Sequence, residues 1–79
     1  MNRDDVKRVV QDAIRTETRY AGELGESLSS LEIEGWDSLA HTRIIFRIEI
    51  MLEIEIEINS TYSADTIGDL IDLLNEMVK

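Results

Sequence analysis

The sequence predicts an all-α fold: a small bundle of three main helices plus one short helix, with a long first loop between the first two. Three observations carry that prediction. Apolar residues recur at helical spacing in two segments, one near each end of the chain. A third segment, from position 39, is dense in aliphatic residues and opens behind a capping signal. With 79 residues and no proline, the chain sits near the length at which one core is barely sufficient. A single domain spanning residues 1–79 follows.

The first helix is predicted from about Arg3 to Thr18, where Val6, Val9, Val10, Ala13 and Ile14 share one face. Asn2 is placed to cap it, and Asp5, three residues on, completes a capping box. Arg15 and Arg19 suit the negative end of the helix dipole. From about Tyr20 to Asp37 the periodicity breaks, and Gly22, Gly25, Ser27, Ser29, Ser30 and Gly35 mark an irregular connection. A loop this long in a small domain needs anchors. Leu24, Leu28, Leu31 and Ile33 are the expected ones, with one helical turn near Leu28 to Leu31.

The central helix is predicted from Ser38 to about Leu52, with Leu39, Ile44, Ile45, Ile48, Met51 and Leu52 as its buried stripe. Arg43, Arg47 and Glu49 are left mainly to solvent. Phe46 and Ile50 fall off the stripe, and exposure of such residues is not expected from their composition. The run Glu53-Ile54-Glu55-Ile56-Glu57-Ile58 alternates strictly, as a strand would. No second run exists to pair with it, and an unpaired strand leaves its backbone groups unsatisfied. It is therefore read as an extended connection with Ile54 and Ile56 tucked inward. A short helical turn is expected at Ser60 to Ala64. Thr66-Ile67-Gly68-Asp69 then reads as a capping box opening a last helix, whose core face is Ile67, Leu70, Ile71, Leu74 and Met77 or Val78. Gly68 costs that helix about 1 kcal/mol relative to alanine. A glycine there points to close packing or drift.

Composition excludes several functions. The chain has no cysteine and one histidine, His41, which removes thiolate nucleophiles and leaves little for a metal centre or a histidine-based triad. No enzyme is expected. A formal net charge of −9 opposes nucleic-acid binding and favours partners with a basic docking surface. No apolar run reaches the ~18–20 residues of a membrane span, and Met1-Asn2-Arg3-Asp4-Asp5 lacks the apolar centre of a signal peptide. A soluble, cytoplasmic monomer without membrane insertion is the expectation.

The chemistry-bearing stretch is Glu34-Gly35-Trp36-Asp37-Ser38-Leu39, where a polar loop gives way to the central helix. Asp37 suits the cap position, since its carboxylate can accept a free backbone N–H one turn ahead. Ser38 is then presented at the helix tip, where open amides and the helix dipole favour an attached phosphate group. Taken alone, Asp37-Ser38 is also simply a capping pair.

These residues resemble the acyl and peptidyl carrier proteins, whose signature stands here as Asp37-Ser38-Leu39 preceded by Gly35-Trp36. The resemblance covers nearly the whole chain. Ser27-Leu28 and Leu31 look like the family's loop anchors, Ile44 to Leu52 like its second helix, and Thr66-Ile67-Gly68-Asp69-Leu70 like the opening of its last helix. It implies an acyl-carrier-like bundle in which Ser38 receives 4′-phosphopantetheine from coenzyme A through a phosphopantetheinyl transferase. The cofactor's thiol would hold acyl groups as thioesters, exchanged with acyl-loading and acyl-transferring enzymes. It further implies that Asp37 caps the helix and aids recognition by the transferase, that Leu39 packs beneath the arm or meets the partner at the rim, and that Trp36 covers the loop-to-helix corner. Carriers of general fatty-acid synthesis have acidic residues along the exposed face of this helix. This chain has Ala40, His41, Arg43 and Arg47 there, which points to a specialised lipid, polyketide or surface-sugar pathway. Glu53 stands where relatives often have glycine.

Two other functions fit the same residues. An aminoacyl or peptidyl carrier uses the same serine chemistry on another cargo. An unmodified acidic protein-binding module would use the net charge and any exposure of Phe46 and Ile50.

Overall fold

The computed structural model describes residues 2–78; Met1 and Lys79, the two ends of the expected domain, lie outside the described residues. The first helix, α1, runs Arg3–Thr18 as its periodicity predicts. Its capping box is complete: the Asp5 amide donates to Asn2 Oδ1 at 2.9 Å, and the Asn2 amide donates to Asp5 Oδ2 at 3.1 Å. After it come a 3₁₀ turn at Ser30–Glu32, then α2 at Ser38–Leu52, the short α3 at Ile58–Thr61 and α4 at Ile67–Met77. Helix α1 is the hub, packing against both α2 and α4. The core is almost wholly aliphatic, and Val6, Val10, Ala13, Ile14, Ile44, Ile48, Ile71 and Leu74 are completely buried.

The long loop is held by its backbone as much as by its side chains. Helix α4 begins with amides that have no partner inside the helix, and the loop supplies acceptors for two of them. Ile67 N donates to Leu28 O at 2.9 Å and Gly68 N to Glu26 O at 2.8 Å. Thr66 Oγ1 accepts the Asp69 amide at 3.1 Å, but the return bond of the expected box is not made; Thr66 instead pairs with Ser29 in an isolated β-bridge. Gly68 is thus explained by close approach. A Cβ there would stand 3.0 Å from both the Cβ and the carbonyl oxygen of Glu26.

The Glu26 side chain extends the same seam outward. Its carboxylate accepts from Arg3 at 2.6 Å and from Lys7 at 3.1 Å, and Arg3 also reaches Asp72 at 2.8 Å. Hydrogen bonding from Arg3 first, then Lys7, holds the Glu26 carboxyl down at about 2. The cluster's contribution is therefore present above the ordinary glutamate range and fades as pH falls toward that value. These groups are about one-third exposed, so the effect is modest.

The alternating run from Glu53 to Ile58 forms no strand, and among the described residues the single bridge at Ser29 is the only β pairing. Ile56 is buried and Ile54 half-buried, both turned inward as expected. Glu49, expected in solvent, instead bonds this connection by accepting the Ile56 amide at 2.7 Å. Arg47 stays 41% exposed and pairs there with Glu17 at 2.8 Å. The short helix begins two residues earlier than the expected turn, because Glu57 caps it through the Asn59 amide. Glu53 ends α2 in the left-handed conformation, φ 56°. The position is built for glycine even though glutamate fills it.

Expectations about five side chains are overturned. Leu31 does not pin the loop and is 96% exposed; it sits within the 3₁₀ turn, while Leu24, Leu28 and Ile33 carry the anchoring. On α2, Leu39 and Met51 are exposed rather than buried, while Phe46 and Ile50, which fall off the expected stripe, are exposed as the spacing implies despite their apolar character. Conversely Ala40 and His41, expected on the solvent face, are buried. On α2 one rotation accounts for the differences: the inward stripe is His41, Ile44, Ile45, Ile48 and Leu52, a run of i, i+3, i+4, i+7 and i+11.

Candidate functional site

Ser38 stands at the first helical position of α2 and is exposed, as are Asp37 and Leu39. Local chemistry fixes this placement. Gly35 has φ 92°, a conformation open to glycine, and a Cβ there would lie 3.0 Å from the Thr18 carbonyl oxygen at the end of α1. The chain then turns through Trp36 to Asp37, whose extended backbone and carboxylate cap the helix by accepting the Ala40 amide at 2.8 Å. Among the described residues the Ser38 hydroxyl has no hydrogen-bond partner, and neither do the Ser38 and Leu39 amides. The tip of α2 therefore stays open, whereas the corresponding amides of α4 are filled by the loop.

Beside Ser38 lies a cavity of about 230 Å³, walled by Trp36, His41, Thr61, Tyr62, Asp65 and Leu70 among others. Its floor is a polar chain of fixed direction. Trp36 Nε1–H donates to His41 Nδ1 at 3.1 Å, which leaves the imidazole proton on Nε2. That Nε2–H donates to Thr61 Oγ1 at 2.7 Å, and the Thr61 hydroxyl donates to the Ile58 carbonyl at 2.6 Å. The Tyr62 ring stacks on the imidazole with centroids 4.4 Å apart. Burial pushes the His41 pKa below its ordinary value, so the ring is neutral at pH 7. With both nitrogens engaged, His41 has no lone pair to offer as a base toward Ser38. It is a structural crosspiece.

Trp36 is half-buried over the loop-to-helix corner, as the resemblance implies. Leu39 points outward at 60% exposure and does not line the cavity. Among the residues lining the cavity, His41 is the one expected on the solvent face. Its spacing of three, four and seven residues from Ile44, Ile45 and Ile48 was the signal that it faces inward.

A second feature runs down the outer face of α2. Leu39, Arg43, Phe46 and Ile50 follow one another at steps of four, three and four, with Met51 alongside. The lower part lines a hollow of about 310 Å³ edged by Arg43, Arg47 and Glu17. Among the described residues Arg43 has no ion-pair or hydrogen-bond partner.

No helix among the described residues is long and apolar enough to cross a membrane, and no group of His, Asp and Glu among them is arranged to hold a metal ion. No protein-family model, curated protein or solved structure matches the chain.

Removing the cap tests how far Asp37 shapes the site. Asp37→Ala is expected to cost about 1 kcal/mol, read as a lower urea midpoint at unchanged slope. A change under a few tenths would mean the cap is not stabilising α2.

Proposed function

We propose that the chain is a discrete acyl carrier, holding acyl intermediates as thioesters on a 4′-phosphopantetheine arm attached to Ser38. The observation that carries this reading is the exposed, unpartnered Ser38 hydroxyl on the open tip of α2 beside a cavity. Two free amides and the helix dipole favour the single negative charge that a phosphodiester brings there. Asp37 works against that charge, but its carboxylate is turned onto the Ala40 amide. The chain itself performs no chemistry. It offers the hydroxyl to a phosphopantetheinyl transferase in the cytoplasm, and the loaded arm then visits acyl-loading and acyl-transferring enzymes at high effective concentration. Those enzymes meet the outer row of α2, where Arg43 and apolar side chains stand in place of carboxylates. A matching surface is apolar and edged with acid. The pathway is accordingly a specialised lipid, polyketide or surface-sugar pathway.

Exposed Phe46 and Ile50 favour one second reading, an unmodified protein-binding module. One experiment separates the two. The purified chain, incubated with coenzyme A and a broad-specificity phosphopantetheinyl transferase, is weighed intact. The expected result is a gain of one phosphopantetheine that disappears in Ser38→Ala. No gain with several transferases would reject the carrier and leave the module. If a gain is seen, charging by an adenylating enzyme with an amino acid would redirect the cargo from acyl to aminoacyl.

A further inference from the structure

His41 joins three parts of the chain at one ring: the loop through Trp36, α2 through its own backbone, and α3 through Thr61 and Tyr62. The two hydrogen bonds of the ring differ in how they respond to a proton. Nε2 is already a donor, and remains one when the ring is charged. Nδ1 is an acceptor facing an indole N–H that can only donate, so a proton on Nδ1 sets two donors against each other. The stacked Tyr62 ring tolerates or favours a cation over its face.

We infer that His41 is a one-sided latch across the cavity beside Ser38: neutral, it ties both Trp36 and α3 to α2, and protonated, it keeps α3 and lets go of the Trp36 side. The released segment, Gly35-Trp36, is the one that leads directly into Asp37 and Ser38. Acid therefore loosens the approach to the serine while the opposite wall stays in place.

The other groups around the ring do not supply a competing switch. On the loop side the acid lining the cavity is Asp37, engaged with the Ala40 amide. On the α3 side the ring meets the Thr61 hydroxyl and the Tyr62 phenol ring, and Asp65 also lines the cavity. Helix α4 presents only Ile67 and Leu70 to the cavity. No carboxylate pairs with the imidazole among the described residues. Because the ring is neutral when latched, the latch is complete above the ordinary histidine range and is lost as pH falls through the folded value.

The chain has one histidine and one tryptophan, so the two can be followed without assignment ambiguity. Long-range ¹⁵N NMR at pH 7.5 is expected to show the Nε2–H tautomer. On acidification the Trp36 emission and indole N–H signal should titrate together with the His41 ring, at a midpoint below the ordinary histidine value. Amide exchange at Tyr62 and Ala64, which report α3, should change less than twofold across the same step.

His41→Gln is the decisive variant, since its carbonyl can accept from the indole and its amide can donate to Thr61 without titrating. It should keep the native Trp36 signal at pH 7.5 and lose the acid step. Thr61→Val should do the reverse, raising exchange at Tyr62 and Ala64 at least tenfold while the acid step at Trp36 remains. An Nδ1–H tautomer, a ring that titrates without Trp36, or an acid step that persists in His41→Gln would each overturn the latch. None of these readouts requires Ser38 to be modified, so they stand or fall independently of the carrier reading.

Discussion

Ile71→Ala is expected to remove about 2–5 kcal/mol of stability, the range for truncating a buried isoleucine whose site collapses only partly. Ile71 is completely buried on α4, the helix that closes the bundle against α1. A chain of 79 residues has about 4–12 kcal/mol in total at ordinary per-residue stability. The variant should therefore populate unfolded molecules measurably at 37 °C. Urea denaturation followed by circular dichroism is the check, with a large drop in midpoint at unchanged slope. A loss under 1 kcal/mol would mean that the α1 to α4 seam is more plastic than its packing indicates.

Gly68→Val should cost about 1–3 kcal/mol through overpacking, despite the better helix propensity of valine over glycine. The first added carbon already stands 3.0 Å from the Glu26 carbonyl oxygen, and that oxygen is the acceptor for the Gly68 amide. Glu26 cannot swing aside freely, because Arg3 and Lys7 hold its carboxylate. The backbone must part instead, which weakens both loop-to-α4 hydrogen bonds. Gly25 provides the control: a Cβ there meets nothing within 4 Å, so Gly25→Ala should be close to neutral. If the two variants melt alike, the seam does not confine Gly68.

Much of this fold is legible in the residues, for reasons that differ by element. Helix α1 is readable because its cap, its charges and its apolar spacing agree, so local and tertiary preferences coincide. The Glu53 to Ile58 run shows the opposite case, where a local strand pattern loses to the lack of any partner strand. Helix α2 was readable in extent but not in rotation. Nearly all of its residues are apolar or amphipathic, so composition marks no clean face, and only the spacing from His41 to Leu52 distinguishes inside from outside. The exposure of Ser38 followed from its cap. The polar chain through Trp36, His41 and Thr61 did not, because it joins residues up to 25 positions apart, a span that no local pattern reports.

The bare row on α2 sets the conditions under which copies of this chain remain dispersed. At neutral pH each molecule carries a formal surplus of nine negative charges, and mutual repulsion opposes contact between apolar rows on different copies. That repulsion vanishes near the isoelectric point of about 4.4 and is screened by concentrated salt. Leu39, Phe46, Ile50 and Met51 are then no longer held apart by charge, so precipitation of still-folded molecules is the expected outcome of mild acid, through the same face that distinguishes this helix.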